Sequence, residues 1–171
     1  ERWREVLDYH LGIIGQLFAD EHKATVENSL LPLTDEIVKI IDNSAERDDF
    51  DKFYDRIVSF GELMSTTIIS QYLNLQGGVD NLWVDMRQLL VTDSRFREAG
   101  VNYTITARNI CEVVGRCDKR VIVGQGFIGA NPSGCTTTLG REGSDYSAAV
   151  VASVTEADSV TIWKDVPGIL N

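Results

Sequence analysis

The sequence predicts an α/β protein: a helical lobe over residues 1–75, then a mainly parallel sheet with its helices over residues 76–171. Two changes of pattern carry this. Up to Leu75, apolar residues recur every three or four positions, the period of a helix with one buried face. Beyond Gly77-Gly78 they fall into short runs bounded by polar residues, as buried strands do.

Trp3, Leu7, Leu11, Ile14 and Phe18 make the stripe of a first helix. The polar stretch Asp20 to Asn28 interrupts the pattern and Pro32 marks a break, after which Thr34 caps a short helix bearing Ile37, Ile40 and Ile41. A third helix follows Ser44 with Phe50, Phe53, Ile57 and Phe60 buried. Gly61 interrupts it, and a fourth runs from Glu62 to about Leu75. Strands are expected at Leu82–Val84, Leu89–Val91, Val101–Thr106 and Val121–Val123, with a helix at Ala107–Gly115. A helix at Asp145–Ala157 and a strand at Val160–Trp163 complete a strand–helix–strand unit, which favours a right-handed crossover.

Composition sets the limits. The 171 residues are 43% hydrophobic and 25% charged, enough for one domain with a real core. No apolar run is long enough to span a membrane, and Glu1-Arg2-Trp3-Arg4-Glu5 lacks the order of a signal peptide. Three cysteines without zinc-finger spacing read as reduced, partly buried thiols of a cytoplasmic protein. The net charge of −10 argues against a nucleic-acid surface. Residues 1–55 hold 14 of the 26 acids but 6 of the 16 bases, so a small anion bound further on needs local geometry rather than a general field.

That geometry is expected between Gly124 and Gly143, where six of the fourteen glycines fall. Strand-to-helix loops usually take about 2–6 residues, and longer ones tend to be functional. Phe127-Ile128 and Thr136-Thr137-Thr138 flank the turn former Asn131-Pro132-Ser133-Gly134, predicting a hairpin that extends from the carboxyl edge of the sheet, where such sheets bind ligands. Glycines let backbone N–H groups approach a phosphate, Ser144 can cap the next helix, and Arg141 offers a fork of donors for a carboxylate. The loop matches neither the Rossmann nor the P-loop pattern; a hairpin followed by a capped helix explains it equally.

The run Thr136-Thr-Thr-Leu-Gly-Arg-Glu-Gly-Ser-Asp145, followed by Tyr146-Ser-Ala-Ala, resembles the T-T-L-G-R-G-G-S-D signature of aspartate kinases. Gly126-Phe127-Ile128-Gly129 and Ile162-Trp163-Lys164-Asp165-Val166-Pro167-Gly168 stand at family spacing, and Ser59-Phe60-Gly61-Glu62-Leu63-Met64-Ser65 is similar to S-x-G-E-x-x-S. Four motifs in one order cover the chain from residue 59 onward. The resemblance implies an amino-acid-kinase α/β/α sandwich and ATP-dependent phosphorylation of the aspartate β-carboxylate, with Mg2+ accompanying ATP, in lysine, threonine and methionine biosynthesis. It implies a homodimer for the full-length enzyme and no protein metal ligand.

Carried over position by position, Glu62 resembles the acceptor of the substrate ammonium, Arg141 the grip on the substrate α-carboxylate and Phe127 a wall of the substrate pocket. Ser144 and Asp145 would face the transferring phosphoryl, Asp145 orienting a cation. Gly126, Gly143, Lys164 and Asp165 fall where the family binds nucleotide. Each has a plainer explanation: a first-turn helix acid for Glu62, a surface arginine for Arg141, core packing for Phe127, N-capping for Ser144 and Asp145, a strand-ending turn for Lys164 and Asp165. Glu142 departs from a common family glycine, Lys164 from threonine and Leu170 from an aromatic. His10 and His22 match nothing in the pattern.

The K-x-G-G motif, whose lysine in the family neutralises phosphate charge, does not occur in these residues, nor do regulatory ACT domains, so the chain reads as an internal part of the catalytic domain. Losing one electrostatic donor costs on the order of 10²–10³ in rate, and the 171 residues alone are expected to be inactive. Another amino-acid or carbamate kinase of the same fold, and a non-catalytic ligand-binding or assembly domain, stay open as alternatives.

Overall fold

The computed structural model describes residues 2–43 and 49–164. Three long helices come first: α1 (Arg2–Leu17), α2 (Asp20–Asp42) and α3 (Phe50–Leu75). They bury one another through Ile14 and Phe18 of the first helix and its exit, Val26, Leu30, Ile37 and Ile40 of α2, and Phe60, Leu63, Met64 and Ile68 of α3.

Two predicted breaks are absent. Pro32 lies inside α2, and Thr34 caps nothing; its hydroxyl donates to the carbonyl of Leu31 at 2.8 Å. A proline inside a helix costs about 3 kcal/mol. The apolar residues on either side keep one phase against α3, and their burial offsets that cost. Gly61 lies within α3 for the same reason: Phe60, Leu63 and Met64 are all buried, so packing carries the helix through it. The expected start at Ser44 falls outside the described residues; α3 is capped by Asp49, which accepts from the Lys52 amide.

The second half alternates. Strand β1 (Asn81–Trp83) is followed by the short helix α4 (Met86–Leu89), then α5 (Tyr103–Arg116) and β2 (Val121–Val123). β1 and β2 pair in parallel, Leu82 opposite Ile122. β3 (Ile128–Ala130) and β4 (Thr136–Thr138) form an antiparallel hairpin, Gly129 opposite Thr137, and α6 (Gly143–Val154) follows. A parallel bridge from Val91 to Ala130 joins the 90–92 segment to β3.

Three boundaries moved. Leu89 ends α4, which Asp85 caps, so of the expected strand Leu89–Val91 only Val91 makes a bridge, with Thr92 beyond it making another. Asn102 accepts from the Ile105 amide at 3.1 Å and starts α5 at Tyr103, inside the expected strand Val101–Thr106. Val160 to Trp163 forms no strand and is exposed, Trp163 at 90%. The hairpin does not reach out from the sheet: Ile128, Thr137 and Thr138 are buried, and β4 packs under α3.

Among the described residues no helix is long and apolar enough to cross a membrane. All three cysteines are free, and Cys111 is exposed rather than partly buried. His10 is buried against the Val6 carbonyl at 2.7 Å, a satisfied histidine.

Candidate active site

The site grows from the contact between the loop after β2 and the first turn of α6. A Cβ on Gly126 would lie 2.9 Å from the Cβ of Ser144, and one on Gly143 would lie 2.8 Å from the ring of Phe127. Glycine at both positions is a packing requirement, because any side chain would force loop and helix apart. The Phe127 amide donates to Oγ of Ser147 at 3.2 Å, and that hydroxyl donates to the Ser144 carbonyl at 2.9 Å. Ser147 thereby stitches the loop to the helix.

Ser144 is not the helix cap. Glu142 occupies that position with left-handed backbone, φ 55°, and gives no side-chain cap. The amides of Gly143, Ser144 and Asp145 therefore begin α6 without a side-chain acceptor at the positive end of its dipole. The carboxylate of Glu142 turns to Lys164, whose Nζ lies 3.0 Å from Glu142 and 2.8 Å from Asp145. Asp145 first, and Glu142 second, hold the Lys164 amine well above the ordinary lysine range.

Phe127 and Arg141 share the wall of a cavity of about 700 Å³ with Tyr54, Arg97 and Thr138. Phe127 is itself left-handed, φ 71°. Arg141 is exposed and makes no hydrogen bond or ion pair among the described residues. Gly126 and Ser144 line a different cleft of about 770 Å³, mostly apolar, between β2, α5 and α6.

Glu62 lines neither cavity. It sits mid-helix in α3, not in a first turn, so the helix dipole does not explain its charge. Its half-buried carboxylate has no partner among the described residues, and burial pushes it above the usual carboxylate range. Its backbone is tied to the loop: the Thr66 hydroxyl donates to the Glu62 carbonyl at 2.7 Å and accepts from buried Gln125 at 2.8 Å. Asp165 lies outside the described residues.

Sequence reasoning missed three organising residues. Gln125, 3% exposed, also accepts from the Met86 amide and so fixes the loop to both α3 and α4. Asp55 is completely buried in α3; one of its oxygens accepts from the amides of Arg97 and Thr138, the other from the Thr138 hydroxyl, all at 2.8 Å. Burial pushes Asp55 upward against the pull of these donors. Arg97, left-handed at φ 70°, is the third. A signal for Asp55 was present: it stands one helical turn before Ser59, a polar residue in the same buried phase.

An α/β chain whose glycine-rich loop meets a helix N-terminus beside an unpaired arginine fits a small-molecule kinase. Residues 11–171 match the amino acid kinase family, and the chain belongs to it. It is similar to lysine-sensitive aspartokinase 3 of Escherichia coli, 41% identical over 116 residues, which cover 67% of this chain and 26% of that protein. Among solved structures, E. coli aspartokinase III with lysine and aspartate in its T-state superposes with a TM-score of 0.83 at 34% identity, over 96% of this chain and 37% of that one. The R-state of the same enzyme, with aspartate and ADP, superposes at 0.69 and 37% identity over 80% of this chain and 32% of that one. The chain thus spans between 26% and 37% of the length of these relatives. The amino-acid-kinase fold and the resemblance to aspartokinases expected from the motifs are borne out.

Proposed function

We propose that this chain forms the substrate-facing part of an aspartate kinase that transfers the γ-phosphoryl of ATP to the aspartate β-carboxylate, in the cytoplasm, as a step of lysine, threonine and methionine biosynthesis. The observation that carries the reading is Arg141: an unpaired guanidinium on a polar cavity, beside Phe127 and at the start of the helix that bears Ser144 and Asp145. That solved relatives hold aspartate and a nucleotide supports it.

On this reading Arg141 binds the α-carboxylate through its planar fork. Glu62 accepts from the substrate ammonium; its lack of another partner leaves the carboxylate available. Phe127 closes the pocket against water. The amide of Ser144, with Gly126 packed against that residue, faces the phosphoryl oxygens, where fixed donors stabilise developing charge, while the Gly143 amide is taken by the Gly140 carbonyl at 3.1 Å. Asp145 orients the cation that accompanies ATP. Its carboxylate already holds one cation, the Lys164 ammonium, so the position suits positive charge. Mg2+ bound with ATP would supply neutralisation of the phosphate oxygens there. Lys164 and Asp165 lie on the nucleotide side. The full-length enzyme is a homodimer on this reading and uses no nucleic acid or membrane.

The residues at hand include no K-x-G-G lysine, so we expect no turnover from them alone. A coupled assay of ADP release is the test. Aspartate-dependent turnover by the 171-residue chain would refute the expected inactivity. Turnover by the full-length protein with another amino acid, and none with aspartate, would refute the substrate.

A further inference from the structure

On the reading that the cavity beside Arg141 takes an amino-acid substrate, we propose that Arg97 is a specificity-determining residue of that cavity, binding a second carboxylate and so selecting dicarboxylates over their amides. Nothing in the motifs points to Arg97; the placement of its backbone and guanidinium does.

The backbone is fixed at some expense. Arg97 is left-handed at φ 70°, a conformation that costs a residue with a Cβ and that an arginine side chain cannot relieve by local hydrogen bonding. Two contacts enforce it. The amide donates to buried Asp55 at 2.8 Å, and the carbonyl lies so near Gly140 that a Cβ there would approach to 2.9 Å. Asp55 grips Thr138 as well, so one buried carboxylate sets both the Arg97 and the Thr138 wall of the cavity. Strain held in place by its surroundings, at a cavity, is the pattern of a functional position.

The guanidinium is held without being saturated. It lies 4.9 Å from the centre of the Tyr54 ring and makes one contact with Asp51 at 3.3 Å, its side chain 50% exposed. Arginine has five N–H donors, and an exposed single-contact ion pair is weak. A ligand carboxylate taking two donors at once displaces Asp51 readily. The other charged groups on the cavity are Arg95, paired with Asp93 at 3.1 Å, Glu98, and unpaired Arg141. Three arginines and one glutamate line the cavity, and of the arginines only Arg141 lacks an acidic partner among the described residues. If Arg141 takes the α-carboxylate, Arg97 matches the side-chain carboxylate, which a substrate amide lacks.

Calorimetric titration of the 171-residue chain with L-aspartate, L-asparagine and succinate tests this. A charged hydrogen bond to one carboxylate corresponds to about a tenfold or greater difference in affinity. We expect L-aspartate to bind about tenfold or more tightly than L-asparagine, with succinate also bound. Arg97→Gly, which accepts φ 70° without strain, is expected to fold with an unchanged Tm and to lower aspartate affinity to that of asparagine. Arg97→Lys keeps a charge but not the fork and should return only part of the preference. An unchanged aspartate-to-asparagine ratio in Arg97→Gly overturns the proposal, as does a wild-type chain that binds none of the three probes. Arg141→Ala separates the two readings. If it weakens aspartate and asparagine alike while the ratio survives in Arg97→Gly, the kinase reading stands and only the role of Arg97 falls.

Discussion

Replacing Asp55 tests the internal scaffold of the site, because its two obvious variants should diverge sharply. The carboxylate is completely buried and accepts three hydrogen bonds from Arg97 and Thr138. Asp55→Ala leaves two buried amides and a hydroxyl without acceptors and opens a small void. Each unsatisfied buried donor costs about 1–3 kcal/mol. Allowing for relaxation and non-additivity, the sum is about 3–5 kcal/mol, a large part of the stability of an ordinary domain. Asp55→Asn is different. Its carbonyl oxygen can keep both amides, and its NH2 can donate to the Thr138 hydroxyl, which turns to accept. It also removes a buried charge, so its cost is expected below about 1 kcal/mol. Urea unfolding monitored by far-UV circular dichroism reads both, with equal m-values confirming that the midpoint reports stability. A cost for Asp55→Ala no larger than for Asp55→Asn would show that these three bonds do not hold α3 to β4.

Burial pushes the Glu62 carboxyl upward, so the folded chain holds its proton more tightly than the unfolded one. Its contribution therefore favours folding at low pH and is lost as pH rises from the ordinary carboxylate range through the raised value. Aspartate affinity should rise over the same window as Glu62 ionises, and Glu62→Gln should flatten that pH dependence in calorimetric titrations. For Lys164, nitrogen-detected NMR titration of the side-chain amine should show a lower pKa in Glu142→Gly and a lower one still in Asp145→Asn, the order of their influence. Pro32→Ala should raise the urea midpoint by about 1–2 kcal/mol equivalent, the cost of an internal proline less what proline saves by stiffening the unfolded chain.

How much of this was legible depended on the range of the interaction. The helical lobe, the strand at Val121–Val123 and the hairpin at 128–138 follow from periodicity and turn chemistry, which a sequence displays directly. Pro32 and Gly61 misled because local propensity argued for breaks, while the cost was offset by a partner helix remote in sequence. Asn102 and Asp85 were missed as caps, though both are strong capping residues, because apolar runs beside them suggested strands. In the site, Gly126 and Gly143 were singled out for access to phosphate; the structure adds that each is also required by the fit of Phe127 and Ser144. Asp55, Gln125 and Arg97 act across tens of residues, and apart from the spacing of Asp55 to Ser59 nothing local marks them.

The two departures from the aspartate-kinase pattern nearest the site, Glu142 and Lys164, explain each other. Glu142 stands where the family commonly has glycine, and its backbone is left-handed, so the family preference has a conformational cause. A glutamate there carries the cost of that conformation and puts an acid at the positive end of the helix dipole. Lys164 stands where threonine is common, and its ammonium contacts both Glu142 and Asp145. The added negative charge is thus matched by an added positive one, on a segment, 158–164, that otherwise makes no hydrogen bond among the described residues. The net charge at the start of α6 is the same as with glycine and threonine. What differs is that an ammonium is stationed against Asp145, 2.8 Å from its carboxylate.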